Sequence, residues 1–383
     1  MSERLGASLR ARRGSEEVEE ARLGPARSDG PREPSRNPER FQPRRALVAA
    51  CVVTLVVAGC ASDDPPTPSP EPAGTEPSEP TDSSAATDSD GVTTTSDVYP
   101  TWSTIDGLET PRDDFGSAII DDDIWAMGRM TGERGNRLVS IEVLDTTTGT
   151  WSTSDVEMPV GMASFEVVAI GPRIYAFGGF DATSQAMDFA AVLDTRTGEW
   201  RDLPPLPHAR YAHTVTRFGE RIYVIGGRAA AGEVAQVDVF DLRTERWGAP
   251  STPMPKARVR DSHKTVALPQ GLVVAGGQRD FEDSAQVDLF DPRTGTWSIL
   301  PDLPEPMSRS GLAYADDKLW ISLHETAYVM DARKLATWEP GNALTLSRHG
   351  MGFVVHDGYI YSIGGCALNP LRDVRTVDRM KLP

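Results

Sequence analysis

A repeated unit of about 40 to 50 residues governs most of this chain, and residues 221–247 show it most clearly. A run of β-branched and aromatic residues ends there in Gly226 and Gly227, a polar loop follows, and an alternating run ends in Asp241. Trp247 follows shortly after that aspartate. Alternating runs bounded by turn-forming residues are typical of short β-strands, so the unit predicts a small antiparallel sheet.

The same order of residues recurs along the chain. Two further complete copies carry Gly178, Gly179, Asp194 and Trp200, and then Gly276, Gly277, Asp291 and Trp297. Degenerate copies carry Gly128, Arg129, Asp145 and Trp151, then Leu323, His324, Asp331 and Trp338, and finally Gly364, Gly365 and Asp378. With Trp102 at the front, the tryptophans recur at a period of about 41 to 50 residues, which is the size of one propeller blade.

The paired glycines, the aspartate and the tryptophan resemble the kelch repeat over roughly residues 100–383. The resemblance implies an all-β fold, a six-bladed kelch-type β-propeller over residues 99–383. The last copy ends at its third strand, whereas the first tryptophan, Trp102, precedes the first complete unit. We therefore expect the segment around Trp102 to supply the missing outer strand and to close the ring.

Three segments precede the repeats. Residues 1–45 are rich in arginine and poor in large apolar residues, so we expect a disordered basic region. Residues 46–60 contain an uncharged apolar run that suits the core of a signal peptide and is short for a membrane span. Residues 61–98 consist mainly of Asp, Glu, Pro, Ser and Thr, which predicts a disordered acidic tether.

The end of the apolar run, residues 57–60 (VAGC), resembles the lipobox of bacterial lipoproteins. The resemblance implies cleavage before Cys60 and lipidation of that cysteine. The propeller would then be anchored to the bacterial cell membrane on its extracytoplasmic side. An uncleaved signal anchor is the alternative, and the preceding Arg44 and Arg45 leave the export route open.

Common catalytic motifs are absent from the sequence, including phosphate-binding loops, zinc-binding cysteine pairs and nucleophile elbows. Galactose oxidase is also built on kelch-like blades and binds copper through Tyr and His. Here, however, His213 and His263 occupy a repeat position that is apolar in the other copies, at Phe115, Phe165, Leu312 and Met351. No motif links Cys366 to a tyrosine, so we expect no catalytic residue, metal or cofactor.

A carbohydrate-active enzyme resembling the sialic-acid mutarotases is the alternative function, because those proteins are also secreted six-bladed kelch propellers. Asp261 and Glu282 are the candidate acids near the expected loops. Exposed acids are nevertheless common in a chain with 56 acidic and 39 basic residues. The resulting net charge of −17 disfavours nucleic acid and anionic lipid surfaces as partners.

An arginine recurs where one blade passes to the next when the copies are aligned on the second glycine. The series comprises Arg112, Arg210, Arg260, Arg309 and Arg348, and Met162 interrupts it. Arginines of eukaryotic kelch adaptors occupy a similar position and grip acidic groups, so the resemblance implies an anionic peptide or acidic sugar as ligand. Alternatively, each arginine donates to carbonyls of an adjoining blade and serves only the repeat. If they bind a ligand, alanine at Arg210 and Arg348 leaves the melting temperature nearly unchanged.

The sequence as a whole favours a binding module over an enzyme. Turns on one face are short, whereas the connections on the opposite face are long and varied. Varied loops on a rigid scaffold are where binding residues usually lie. We expect a lipid-anchored monomer that recognises an extracytoplasmic protein, peptide or glycan through this loop face.

Overall fold

The computed structural model describes residues 99–130 and 137–383. The described residues form β-strands and one turn of 3₁₀ helix, η1 (Lys256–Arg258), and they contain no α-helix. The all-β propeller fold predicted from the repeat is confirmed. The segments predicted at 1–45, 46–60 and 61–98 lie outside the described residues.

Most of the described strands belong to six four-stranded antiparallel sheets. The first described strand, β1 (Trp102–Ile105), lies in the sixth sheet. The first sheet contains β2 (Gly116–Ile120), β3 (Asp123–Met130), β4 (Arg137–Asp145) and β5 (Thr150–Thr153). The second contains β6 (Glu166–Ile170), β7 (Arg173–Phe177), β8 (Ala190–Asp194) and β9 (Glu199–Asp202).

The third and fourth sheets each carry an additional small hairpin. The third contains β10 (Thr214–Phe218), β11 (Arg221–Ile225), β14 (Val237–Asp241) and β15 (Arg246–Trp247), with the hairpin β12 (Arg228–Ala229) and β13 (Gly232–Glu233). The fourth contains β16 (Lys264–Leu268), β17 (Gly271–Ala275), β20 (Val287–Asp291) and β21 (Thr296–Ile299), with the hairpin β18 (Gln278–Arg279) and β19 (Glu282–Asp283).

The fifth sheet contains β22 (Gly311–Ala315), β23 (Lys318–Leu323), β24 (Thr326–Asp331) and β25 (Trp338–Pro340). The sixth contains β27 (Gly352–His356), β28 (Tyr359–Ile363), β31 (Val377–Lys381) and β1. A small sheet beside it contains β26 (Arg348–His349), β29 (Cys366–Leu368) and β30 (Leu371–Asp373). In the sixth sheet β1 pairs with β31, and Trp102 lies opposite Met380.

The six repeated tryptophans connect consecutive sheets. In each case the indole N–H donates to a backbone carbonyl of the preceding unit, over distances of 2.8 to 3.2 Å. The acceptors for Trp102, Trp151, Trp200, Trp247, Trp297 and Trp338 are the carbonyls of Asn342, Asp106, Glu157, Pro204, Thr252 and Pro301. The tryptophans therefore have the packing role that six equivalent positions predict.

The residues that precede the first strand of each sheet form a circle of backbone hydrogen bonds. Each amide donates to the equivalent carbonyl of the preceding sheet, and each residue has a positive φ between 46° and 65°. In donor order the circle runs through Ser164, Asp114, Gly350, Arg309, Ser262 and Ala212, and Ala212 donates back to Ser164. We call these six residues the axial ring, because they surround the point where the six first strands converge.

Apolar faces of neighbouring sheets form the core between them. Met127 and Ile141 of the first sheet, for example, pack with Phe165 and Ile174 of the second, and all four are buried. Burying such side chains stabilises a fold by about 1.5–3 kcal/mol each. Contacts between every pair of neighbours thus hold the axial ring in place.

Candidate functional site

A polar pocket lies at the axial ring. It is lined by side chains and backbone from several sheets, including Asp114, Glu166, His213, His263, Lys264 and Arg309. Because the axial ring precedes the first strand of every sheet, the pocket lies at the end of the propeller that also carries the connections from second to third strands. We call this end the loop face.

Two ion pairs cross the pocket between sheets that are not neighbours. Lys264 Nζ of the fourth sheet lies 2.8 Å from Glu166 Oε1 of the second, and both side chains are partly exposed. Burial lowers the pKa of Lys264, but the charge of Glu166 and its hydrogen bond outweigh burial and raise it. Arg309 Nη1 lies 3.6 Å from Asp114 Oδ2. The pocket therefore holds two cations, each beside an acid.

Arg309 does not occupy the repeat position of the other four arginines. Met307 precedes His324 by the same number of residues as Arg260 precedes Gly277. Arg309 lies two residues closer to His324. Met307 is fully buried at that position, whereas Arg309 belongs to the axial ring two residues later. Placing Arg309 in the arginine series was therefore wrong. Its side chain remains 26% exposed, so it can contact a ligand in the pocket.

The other four arginines are fully buried, and each pairs with an acid on the third strand of its own sheet. The pairs are Arg112 with Glu142, Arg210 with Asp238, Arg260 with Asp288, and Arg348 with Asp378. Arg210 also donates to the carbonyls of Gly226 and Gln236 at 3.0 and 2.9 Å. Burial lowers the pKa of Arg210 to about 10, although the charge of Asp238 opposes this.

These contacts favour a structural role for the four buried arginines, in which each stabilises its repeat, over a role in ligand binding. A side chain with no exposed surface and a carboxylate partner offers no donor to an incoming ligand. The carbonyls they bind belong to the same sheet, and not to an adjoining one as the sequence suggested. The expected anionic ligand now depends on Arg309 alone.

The acidic partners were missed, although the repeat contains a signal for them. All four lie three residues before the end of the third strand, although the third strand of the sixth sheet ends at Lys381 and not at an acid. In the second sheet neither the arginine nor the acid is present, because Met162 occupies the arginine position and Ala191 the position of the acid. In the fifth, Met307 stands with Tyr328. Joint replacement of arginine and acid within one chain indicates that the two residues form a pair.

His213 and His263 are both 1% exposed and lie next to the axial ring, and Nε2 of His263 is 3.2 Å from Oγ1 of Thr214. Burial lowers the pKa of His213 to about 3 and that of His263 well below its usual value. Both imidazoles are therefore neutral at neutral pH. The fifth-sheet equivalent of this position is Ser310, and not Leu312, because Arg309 belongs to the axial ring.

A second pair of histidines lies on the loop face, between the fifth and sixth sheets. His324 Nε2 is 3.2 Å from His349 Nδ1, and the ring planes are almost perpendicular at 78°. Burial lowers the pKa of His349 to about 4 and also lowers that of His324. Sequence reasoning treated His324 only as a degenerate glycine position.

An exposed aromatic side chain stands on the hairpin of the fourth sheet. Phe281 is 60% exposed and has a φ of +67°, which is rare for a bulky residue. The guanidinium of Arg228 lies 4.0 Å from the centre of its ring. Arg228 is in turn held by Asp261 at 2.7 Å and by Glu233 at 2.5 Å. No repeat pattern marks Phe281, so periodicity could not identify it.

Four further residues were singled out from the sequence, and the structure describes three of them. Asp261 is buried and bonded to Arg228, whereas Glu282 is exposed. Cys366 is fully buried beside Asp113 and Asp373. Cys60 lies outside the described residues. Within the described part of the chain, no helix is long and apolar enough to cross a membrane.

Comparisons with known proteins agree with the architecture. Residues 115–322, more than half of the chain, match the KLHDC2/KLHL20/DRC7 Kelch-repeats domain. Kelch-like protein terF of Aspergillus terreus is 29% identical over 40% of this chain and 37% of its own. An F-box/kelch-repeat protein of Arabidopsis thaliana is 36% identical over 31% of each chain.

Human Kelch-like protein 23 is 27% identical over 29% of this chain and 20% of its own. The chain thus spans between 20% and 37% of the length of these relatives. The domain match, the glycine and tryptophan marks and the six sheets agree with one another. The chain belongs to the kelch-repeat family.

Proposed function

We propose that this protein is a lipid-anchored, extracytoplasmic module that binds a protein partner through the loop face of its propeller. Kelch repeats typically act in protein–protein interaction. The sheets supply a rigid frame, and the loop face carries the varied connections, where binding residues usually lie. Neither the fold nor the comparisons add support for a carbohydrate-active enzyme.

Phe281 is the observation that carries the proposal. Aromatic residues are enriched in protein interfaces, where a rigid ring gives a large contact area at a small entropic cost. Here Arg228 lies against the ring, and the acids that bind Arg228 fix its position. A left-handed backbone at a bulky residue costs about 1–3 kcal/mol, and such strain clusters at binding sites. The hairpin therefore holds an aromatic side chain out toward solvent at a cost to stability.

We expect Phe281→Ala to weaken binding of the partner by about 2 kcal/mol, or roughly thirtyfold in Kd, as at other interface hot spots. The partner can be identified by placing a photo-crosslinking phenylalanine derivative at position 281 of the full chain in cells. Ile299 provides the matched control, because it is 73% exposed on the outer strand of the same sheet. A discrete protein crosslinked from position 281 and not from 299 supports the proposal. Identical products from both positions, or none from 281, contradict it.

The anchor is tested separately. We expect Cys60→Ser to move the protein from the membrane fraction to the soluble extracytoplasmic fraction, because lipid chains contribute about 0.8 kcal/mol per buried CH₂ and two chains anchor stably. The measurement is fractionation after a carbonate wash, with Cys51→Ser as the control inside the same apolar run. If the Cys60→Ser protein remains fully membrane-bound, the segment is an uncleaved signal anchor.

A further inference from the structure

We propose that His324 and His349 form a binding site for a divalent transition-metal ion of the zinc type on the loop face. Imidazole nitrogens are preferred ligands of Zn²⁺, Cu²⁺ and Ni²⁺. The proposal departs from the sequence, which predicted no metal, and it is independent of the protein-binding role.

The geometry of the two rings suits one shared ion. Zinc binds imidazole nitrogen at about 2.0–2.1 Å with tetrahedral angles, which places two nitrogen ligands of one ion about 3.3 Å apart. Nε2 of His324 and Nδ1 of His349 are 3.2 Å apart. An ion can therefore contact both nitrogens after small side-chain rotations, and water can supply its remaining ligands.

The backbone holds both histidines in place. The His324 amide donates to the carbonyl of Arg348 at 3.1 Å, directly before His349. His349 also pairs with Cys366 through β26 and β29. The site therefore has a fixed spacing between two neighbouring sheets.

His324 adopts a left-handed conformation, with φ at +53°, at a repeat position that is otherwise rich in glycine. The equivalent residues that make the same hydrogen bond to the next sheet are Gly179, Gly227, Gly277 and Gly365. A side chain here costs about 1–2 kcal/mol relative to glycine. The structure thus accepts strain in order to place an imidazole against His349, and nothing in the repeat requires it.

The surroundings are mostly acidic. The connection between β23 and β24 consists only of His324 and Glu325, and both imidazoles are partly exposed. The charges of Asp283, Glu305 and Glu325 act on His324, and those of Asp114 and Asp283 act on His349. Arg309 is the opposing charge near His349. The acids outnumber this cation, so their combined field favours a divalent ion.

The test is titration of the full-length chain, purified without a histidine tag, with ZnCl₂ by calorimetry. We expect one ion per chain, and a loss of affinity of at least tenfold in His324→Gly and in His349→Ser. Glycine and serine occupy the equivalent positions in other copies, Gly277 for His324 and Ser308 for His349, so we expect both variants to fold. His356→Gln is the control, since His356 bonds Asp122 in a turn on the opposite face.

Cu²⁺ provides a second test that needs no substitution, because its electron paramagnetic resonance spectrum reports the nitrogen atoms bound to the ion. Two imidazole nitrogens in the unaltered chain support the site. Absence of binding, or an affinity that His356→Gln lowers as much as His324→Gly, overturns it. Unchanged zinc affinity in both folded variants also overturns it and leaves the two histidines as a simple hydrogen-bonded pair.

Discussion

Replacing Asp238 by alanine is expected to destabilise the propeller by about 3–5 kcal/mol, because it leaves the fully buried Arg210 guanidinium without its carboxylate. The remaining partners of Arg210 are backbone carbonyls and cannot neutralise its charge. His208 also loses its bonds to Asp238, but its side chain is 39% exposed and can bind water. Equilibrium unfolding in urea measures the loss.

The chain provides its own control for this prediction. The double variant Arg210→Met with Asp238→Ala reproduces the second sheet, where Met162 and Ala191 occupy the two positions. Replacing a buried ion pair by apolar residues is often neutral or stabilising, so the double variant is expected to be more stable than Asp238→Ala alone. Equal destabilisation of the two would show that the charge of Arg210 is not the cause.

The same burial changes what alanine at Arg210 and Arg348 should do. As ligand-binding residues they would leave the melting temperature unchanged, but the buried pairs predict a large decrease. Arg309→Ala is instead the substitution expected to spare the fold, because Arg309 is partly exposed and its pair with Asp114 is 3.6 Å long. Of the five arginines, only Arg309 lines the pocket with an exposed side chain.

The sequence could predict those residues whose role recurs at equivalent positions of the repeat. The tryptophans and the turn aspartates recur at equivalent positions, and Asp145 illustrates why the aspartate does so. Its carboxylate accepts the amides of Thr147 and Thr148 at 2.8 and 3.1 Å, which closes the turn. The aspartate has this role in the first five copies, so periodicity identifies it there. In the sixth copy the strand ends at Lys381, and Asp378 pairs with Arg348 instead.

What the sequence could not predict depends on contacts between copies or on single loops. Glu166 and Lys264 meet across the axis from sheets two apart, and no spacing within one repeat relates them. Phe281 and His324 lie in connections that differ from sheet to sheet, and both have left-handed backbones. Periodicity identifies the residues that the copies share, whereas the proposed binding residues of the loop face differ from copy to copy.

Acid is expected to unfold this protein through His213 and His263. The pKa of His213 is about 3 in the folded protein, against the usual 6.5, and that of His263 is also well below 6.5. The unfolded chain therefore binds protons between pH 6.5 and about 3 that the folded chain does not. Stability is full above pH 6.5 and falls as the pH decreases, by about 1.4 kcal/mol per pH unit for each histidine once the pH is well below 6.5.

Phenylalanine at position 213 separates this effect from the titration of carboxylates. Phe115 and Phe165 occupy the equivalent position in the first two sheets and are buried there, so the ring fits the repeat. Between pH 7 and pH 5, His213→Phe should lose about 2 kcal/mol less stability than the unaltered chain, since one buried imidazole no longer has to be protonated on unfolding. Parallel pH profiles for the unaltered chain and His213→Phe, measured by urea unfolding, would exclude His213 as a source of the acid sensitivity.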